Sequence, residues 1–523
     1  MSLQIHWLAQ QAQTARERIA LVHHTSSWTF AQWHQWVRRR AAILQHLHLS
    51  HQRCAVLSHN DPDLLCLIYA LSYITAPVIV LNHRLSAMEL AQQLIDIEVT
   101  CLLYDVAHTQ LALDTSQQLD NARNNASINL LSITELRKLE QKETDSSPDL
   151  ISLDPEDVFL DLTAMQGIFC TSGTSGKPKA VPLTYGNHWH SAQATAAHVG
   201  INQQDCWLLC LPLCHVGGLS ILWRSVILGH GIVLLPSFSV AAVFQALATT
   251  KVTVISLVPT LLFRLLTDPA LPHYLSYLQN LKCILLGGAA LDPQLWQRCQ
   301  ELKIPICPTY GMTEAASQIT TLLPHELANK FGSSGRPLPC TQIEIRDLHS
   351  ENAKKLMPFV AGEIYLKGHN IFGGYLGRQD LATSQIKTNL GMNLDQWFAT
   401  GDIGYLDDHG YLYVLNRRHD LIISGGENIY PVEIEAVLLR HGAISEACVI
   451  GVDHPEWGQQ VTAVVVTQTA LNLLEIQRFC ELAGLGRYKL PRKLFCWDNL
   501  PKTASGKIAR QIVKKMVDDI SLM

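Results

Sequence analysis

Positive charge is in short supply in this chain. Over 523 residues, 40 Lys and Arg stand against 45 Asp and Glu, a formal charge of −5. That balance gives no reason to expect a nucleic-acid or anionic-membrane partner, so any anion-binding site must be local. The first twenty residues lack a charged leader followed by an apolar stretch, and no signal peptide is expected. A clean membrane span is also missing. The longest apolar run, residues 64–81, contains Ser72, Thr75 and Pro77 and is flanked by Asp63 and Asn82, which reads as a buried helix running into a buried strand. The 14 cysteines show no framework spacing, which suggests reduced thiols and a cytoplasmic home. Cys206, Cys210 and Cys214, followed by His215, imitate a metal comb, but their segment is apolar, continuous and broken by Pro212. Four residues along a strand span roughly 13 Å, too far for one ion. Internal repeats and low-complexity tracts are absent as well.

What is present alternates. Residues 28–105 interleave helical patterns with short apolar runs such as AVLSH and APVIVLN, as in βαβ units. Residues 109–157 are rich in Gln, Asn, Asp and Ser and read as a surface insertion, with some helix around 133–143. Apolar strands recur at 231–236, 252–259 and 283–288. This predicts a large layered α/β domain with a largely parallel sheet. From Gly332 the texture changes to short β segments and turns, and the polar knot NRRHD at 416–420 marks a boundary. The expected units are a large N-terminal domain, 1–416, and a small mobile α+β domain, 417–523.

Five motifs carry chemistry. TSGTSGKPKA at 171–180 offers the hydroxyls of Thr171, Ser172, Thr174 and Ser175, the charges of Lys177 and Lys179, and Gly173 and Gly176, where backbone can approach an anion closely. It suits a phosphate cradle, although such a run also suits a flexible linker. It is not a Walker A loop, because Pro178 follows Lys177. In TYGMTE at 309–314, Tyr310 could stack on a base, while Thr313 and Glu314 could meet a triphosphate through Mg²⁺. The plainer reading of Glu314 is a carboxylate at a helix N-terminus. WFATGD at 397–402 sets Asp402 after a glycine turn, suited to two vicinal hydroxyls or simply to a β-turn. RRHDLIISGGENIYPVEIE at 417–435 and PKTASGKIAR at 501–510, with Lys507, complete the set.

In this order the five motifs resemble the adenylate-forming superfamily of acyl-CoA synthetases, luciferase-like enzymes and peptide-synthetase adenylation domains, from about residue 28 to about 512. The resemblance implies an ATP-dependent ligase that forms an acyl-adenylate and passes the acyl group to CoA. Thr171, Ser172, Gly173, Thr174, Lys177 and Lys179 would line the pyrophosphate side. Gly288 and Ala289 would meet the adenine together with Tyr310, and Gly311 would belong to the same ATP/AMP site. Asp402 and Arg417 would hold the ribose, and Glu314 with Thr174 the Mg²⁺. Lys507, Thr313 and His215 are expected at the reacting centre, Thr313 on the α-phosphate and Lys507 bridging carboxylate and phosphate. The small domain would then pivot about His419, bring Ser424, Gly425 and Gly426 to the site and admit the thiol. Two positions depart from the pattern: Ala180 stands where the family has glycine, and His419 where relatives commonly have Asp or Lys.

The acid is the finer question. Arg224 lies inside the helical apolar run 211–231, and a buried guanidinium demands an anion. A core Asp or Glu, escape of the side chain to the surface, or a second substrate carboxylate would each satisfy it. The stretch 185–226 and TYGMTEAASQ resemble the o-succinylbenzoate–CoA ligases of menaquinone and phylloquinone biosynthesis, whose substrate is a dianion. That resemblance implies Arg224 on the spare carboxylate, with Ser317 and Gln318 shaping the aryl pocket. It also puts His215 where amino-acid-activating relatives place an aspartate. Other aryl- or medium-chain acyl-CoA ligases, carrier-loading acyl-AMP ligases and nucleotide-binding regulators stay open, although Lys507 argues against the last. The expected partners are small molecules: ATP, the acid and CoA. Oligomeric state is left open.

Overall fold

Successive residues in the central strands point into different cores. In Cys54–Leu57, Cys54 and Val56 join the largest apolar cluster while Ala55 and Leu57 join another. In Cys206–Leu209, Trp207 and Leu209 face that same large cluster and Leu208 faces away. Strands that are apolar on both faces need cover on both. The computed structural model supplies it. It describes residues 3–122, 128–146, 158–171, 179–289, 291–348, 354–376, 396–417, 420, 422–424, 427–454, 458–483, 485, 489–503 and 506–521.

Among these residues, a six-stranded and a nine-stranded sheet, both largely parallel, sandwich a shared layer of helices. Phe30–His46, Pro62–Tyr73, Tyr185–Val199 and Val216–Leu228 contribute their buried side chains to the cluster that includes both inner sheet faces. Outer helices, such as Ala87–Asp96 on one sheet and Val240–Thr249 on the other, close the remaining faces.

The helix Pro62–Tyr73 explains the apolar run. It starts at Asp61, whose side chain accepts the Leu64 N–H at 2.8 Å, with Pro62 in the first turn. Every residue from Asp63 to Tyr73 is buried, so the helix is enclosed on all sides and apolar nearly all round. The strand Val78–Val80 follows. No helix among the described residues is long and apolar enough to cross a membrane.

The polar region 109–146 is not the surface insertion its composition suggests. Thr109–Ala122 is a helix, and Asn129–Ser132 is a strand that pairs in parallel with Cys101–Tyr104 and extends the sheet. A few apolar residues suffice: Ala112, Leu119 and Ile128 are buried, and so is Leu136 in the next helix, Ile133–Ser146. Glu140 of that helix and Asp63 both pair with the fully buried Arg40.

Downstream, Thr341–Arg346, Gly362–Gly368, Phe398–Leu406 and Leu412–Arg417 form an antiparallel four-stranded sheet. A mixed five-stranded sheet then runs from Ile422–Ser424 to Lys493–Trp497, with two apolar cores of its own. The fold is mixed α/β, a large layered N-terminal part followed by a small C-terminal one.

Candidate active site

Open α/β sheets bind ligands beyond the carboxyl ends of their strands. Both inner sheets here end at one cleft of about 1770 Å³. Thr171 and Lys179 line it from one sheet. His215, Gly288, Gly311, Thr313, Glu314, Ser317 and Gln318 line it from the other, and Asp402 and Lys507 come from the later segments. Ala289 is exposed beside Gly288 and does not line the cleft. Ser424 is buried at a strand end, paired with Gly458, and does not line it either. Ser172, Gly173, Thr174, Lys177, His419, Gly425 and Gly426 lie outside the described residues, as does the side chain of Arg417.

Tyr310 does not line the cleft itself, but its hydroxyl donates at 2.6 Å to Oδ2 of Asp402, which does. Asp402 does not sit in a free turn. It belongs to the nine-residue strand Phe398–Leu406, opposite Arg417 in the ladder. The turn-like signal of Gly401, φ +75°, is a bulge against Gly362–Gly368, where Glu363 pairs with Ile403 but Tyr365 with Ala399. Glu314 is buried, and its Oε1 accepts the Tyr375 hydroxyl at 2.7 Å. The Tyr375 ring lies 4.9 Å from Lys179 Nζ, which links cradle lysine, aromatic and carboxylate. A carboxylate held in this way is the hard oxygen donor that Mg²⁺ prefers.

The backbone between Gly311 and Ser317 is tightly folded. A methyl on Gly311 would stand 2.0 Å from the Ser317 carbonyl oxygen, so only glycine fits there. Ala316 and Ser317 have φ of +51° and +99°, strain of the kind that collects at functional sites. Ala180, by contrast, is unstrained. It lies in the extended strand Lys179–Thr184 opposite Cys170 and needs no glycine.

On the acyl side, two of the three readings of Arg224 fail among the described residues. It is only 2 % exposed, so it does not escape to the surface. Its Nε and Nη2 are buried without a hydrogen-bond partner, and no carboxylate pairs with it among the described residues. Its guanidinium carbon lies 5.4 Å from the Trp207 ring centroid, and it lines the cleft. Burial lowers its pKa to about 10. His188, bonded to Gln166 Oε1 at 3.1 Å, is pushed down to about 3 by burial and then by the Arg224 charge. The Gln318 amide donates to Thr321 Oγ1 at 2.9 Å and accepts from Thr195 at 3.0 Å, so it is a fixed wall and not a free ligand arm.

Lys507 sits on a turn closed by the Thr503 N–H donating to the Lys507 carbonyl at 2.7 Å. A methyl built on Gly288 would be 3.9 Å from its Cε and 4.0 Å from its Nζ, so the lysine reaches across to the large sheet. The pKa of His215 is lowered by burial first, then by the charges of Lys507 and Arg84. Tyr375, Trp207 and His188 escape a reading of the sequence. GGYLG around Tyr375 carries no motif, and GNHWH and CWLLC fall within the stretch 185–226 without singling out His188 or Trp207.

Two family models match the chain: AMP-binding enzyme over residues 8–376 and the AMP-binding enzyme C-terminal domain over 433–507. A 2-succinylbenzoate–CoA ligase of Bacillus cereus is 40% identical over 516 residues, covering 98% of this chain and 99% of that protein. The o-succinylbenzoate CoA synthetase of Bacillus subtilis, solved with its acyl-adenylate intermediate, superposes with a TM-score of 0.85 at 35% identity over 98% of this chain and 99% of that one. The same enzyme solved with ATP and magnesium ion gives 0.84 at 35% identity, over 97% and 99% of the two chains. Matched over most of its length, this chain is a member of the AMP-binding enzyme family.

Proposed function

We infer that the chain is an AMP-forming acid–CoA ligase that converts o-succinylbenzoate to o-succinylbenzoyl-CoA in menaquinone or phylloquinone biosynthesis. One observation carries the choice of acid. A buried, unpartnered guanidinium facing the cleft needs an anion, and a dicarboxylic substrate supplies one while its other carboxylate reacts.

The chemistry proceeds in two displacements. A carboxylate oxygen attacks the α-phosphorus of ATP and pyrophosphate leaves; the CoA thiol then attacks the acyl carbonyl and AMP leaves. In the first, two anions must meet, so catalysis is mostly positioning and charge stabilisation. Lys507 supports that step from the small domain, with Thr313 beside the phosphate and Tyr310 and Asp402 on the nucleoside. Glu314 holds Mg²⁺, which neutralises phosphate charge when bound. Thr171 and Lys179 flank the pyrophosphate. We propose the domain boundary at 416/417, at the last residue of the strand Leu412–Arg417 that closes the four-stranded sheet, before the chain passes to the five-stranded one. All fourteen cysteines are free thiols, which favours a cytoplasmic location.

The test is CoA-dependent AMP release from ATP and Mg²⁺ with o-succinylbenzoate beside benzoate, a fatty acid and an amino acid. Turnover confined to o-succinylbenzoate supports the reading. Equal or better turnover of a monocarboxylic acid overturns the choice of acid and leaves the ligase chemistry.

A further inference from the structure

Three histidines stand together at the mouth of the six-stranded sheet, outside the machinery described above. Cys54–Leu57 pairs in parallel with Val78–Val80 on one side and with Cys101–Tyr104 on the other. Just beyond the carboxyl ends of these three neighbouring strands come His59, His83 and His108. One ring nitrogen from each lies within 4.8 Å of the other two, and the ring centroids are 4.4 to 5.1 Å apart. The group grades from buried His108 through half-buried His83 to exposed His59, and the last two line the cleft.

Asp105 organises the cluster. Its carboxylate accepts the His59 and His108 backbone N–H groups, each at 3.0 Å, and lies 2.6 Å from His108 Nδ1. A carboxylate on Nδ1 fixes the tautomer that leaves Nε2 with a free lone pair, the arrangement found behind metal-bound histidines. We propose that His59, His83 and His108 form a binding site for a divalent transition ion of the zinc class, with Asp105 as its supporting carboxylate. Zinc–nitrogen bonds of about 2.0–2.1 Å put nitrogens roughly 3.4 Å apart in a tetrahedral site, so from within 4.8 Å of one another the three rings would draw together on the ion. Three imidazoles favour such an ion over Mg²⁺, which prefers oxygen. The Arg84 charge opposes a cation beside His83, and the Asp105 charge acts the other way. The fourth coordination position is left to water or to a ligand from the cleft.

The full-length protein, stripped with a chelator, is titrated with Co²⁺ and then back-titrated with Zn²⁺. One equivalent of Co²⁺ is expected, with a visible spectrum of a nitrogen-rich tetrahedral or five-coordinate site and no thiolate charge-transfer band. His83→Gln should abolish that spectrum, and Asp105→Asn should weaken Co²⁺ binding about 10–100-fold. Zn²⁺ should raise the melting temperature of the parent and not that of His83→Gln. His59→Gln, at an exposed position, repeats the test should His83→Gln fail to fold. A thiolate band, no bound equivalent, or a spectrum unchanged by these glutamine substitutions overturns the site.

Discussion

Replacing Arg224 with methionine separates function from folding in a single variant. The guanidinium Nε and Nη2 are buried without a hydrogen-bond partner, and burial lowers its pKa from the ordinary arginine range to about 10. The unfolded chain therefore holds that proton more tightly than the folded one. The difference opposes folding by roughly 3 kcal/mol at every pH below 10 and fades only as pH rises from 10 to 12.5. Methionine is unbranched and apolar, and it refills most of the volume beside Trp207. Unliganded Arg224→Met should therefore melt no lower than the parent, and a few degrees higher if the full penalty is relieved. Catalysis should move the other way. Losing a desolvated charge pair costs about 2–5 kcal/mol, or about 30- to 5,000-fold in kcat/KM for o-succinylbenzoate. The monocarboxylic analogue that keeps the activated carboxylate should change less than about threefold. The assay is AMP formation with both acids, beside a thermal melt of each protein. Equal losses on the two acids, or a melting point several degrees lower, would mean that Arg224 holds the core together and reads no substrate.

Other perturbations test other walls of the cleft. Lys507→Ala should lower pyrophosphate exchange by about 10²–10³-fold or more while sparing thioester formation from supplied acyl-adenylate; equal losses in both half-reactions would remove the lysine from the first step. Asp402→Asn weakens a charged hydrogen-bond acceptor on the nucleoside side. It should raise the KM for ATP about 10–100-fold and leave that for the acid unchanged; a shift in the acid KM alone would refute the placement. Acid should destabilise the enzyme. His188 and His230 are held neutral by burial, down to about 3 and about 4. The unfolded chain gains their protons first as pH falls below 6.5, so stability present above 6.5 is lost on the way down, about 4 kcal/mol for the pair at pH 5. A melting temperature that is flat from pH 7 to 4.5 would contradict this.

The layered α/β fold was legible because its strands are apolar on both faces and separated by helical spacing, a local property of the chain. Where burial needs few residues, the same reading failed. Ala112, Leu119 and Ile128 are scattered through a stretch dominated by Gln, Asn and Asp, yet they anchor a helix and extend a sheet. Composition averages over a window, whereas packing depends on a residue every turn or two.

For the candidate site, motifs marked residues that the structure brings to the cleft: Gly311 under the Ser317 carbonyl, Glu314, Asp402 and Lys507. Their supports come from distant parts of the chain. Tyr375 reaches Glu314 across 61 positions and Tyr310 reaches Asp402 across 92, and neither pairing leaves a periodic trace. Arg224 is the informative middle case. Its position in an apolar helix announced a buried charge, but the sequence could not say whether an acid elsewhere in the core would neutralise it. That depended on every side chain around the helix, and the packed structure brings no carboxylate to it among the described residues. A large core tolerates such a cost of a few kcal/mol, and a substrate that carries a second charge is what can offset it. On the proposed reading, specificity in this cleft rests on a partner the fold withholds.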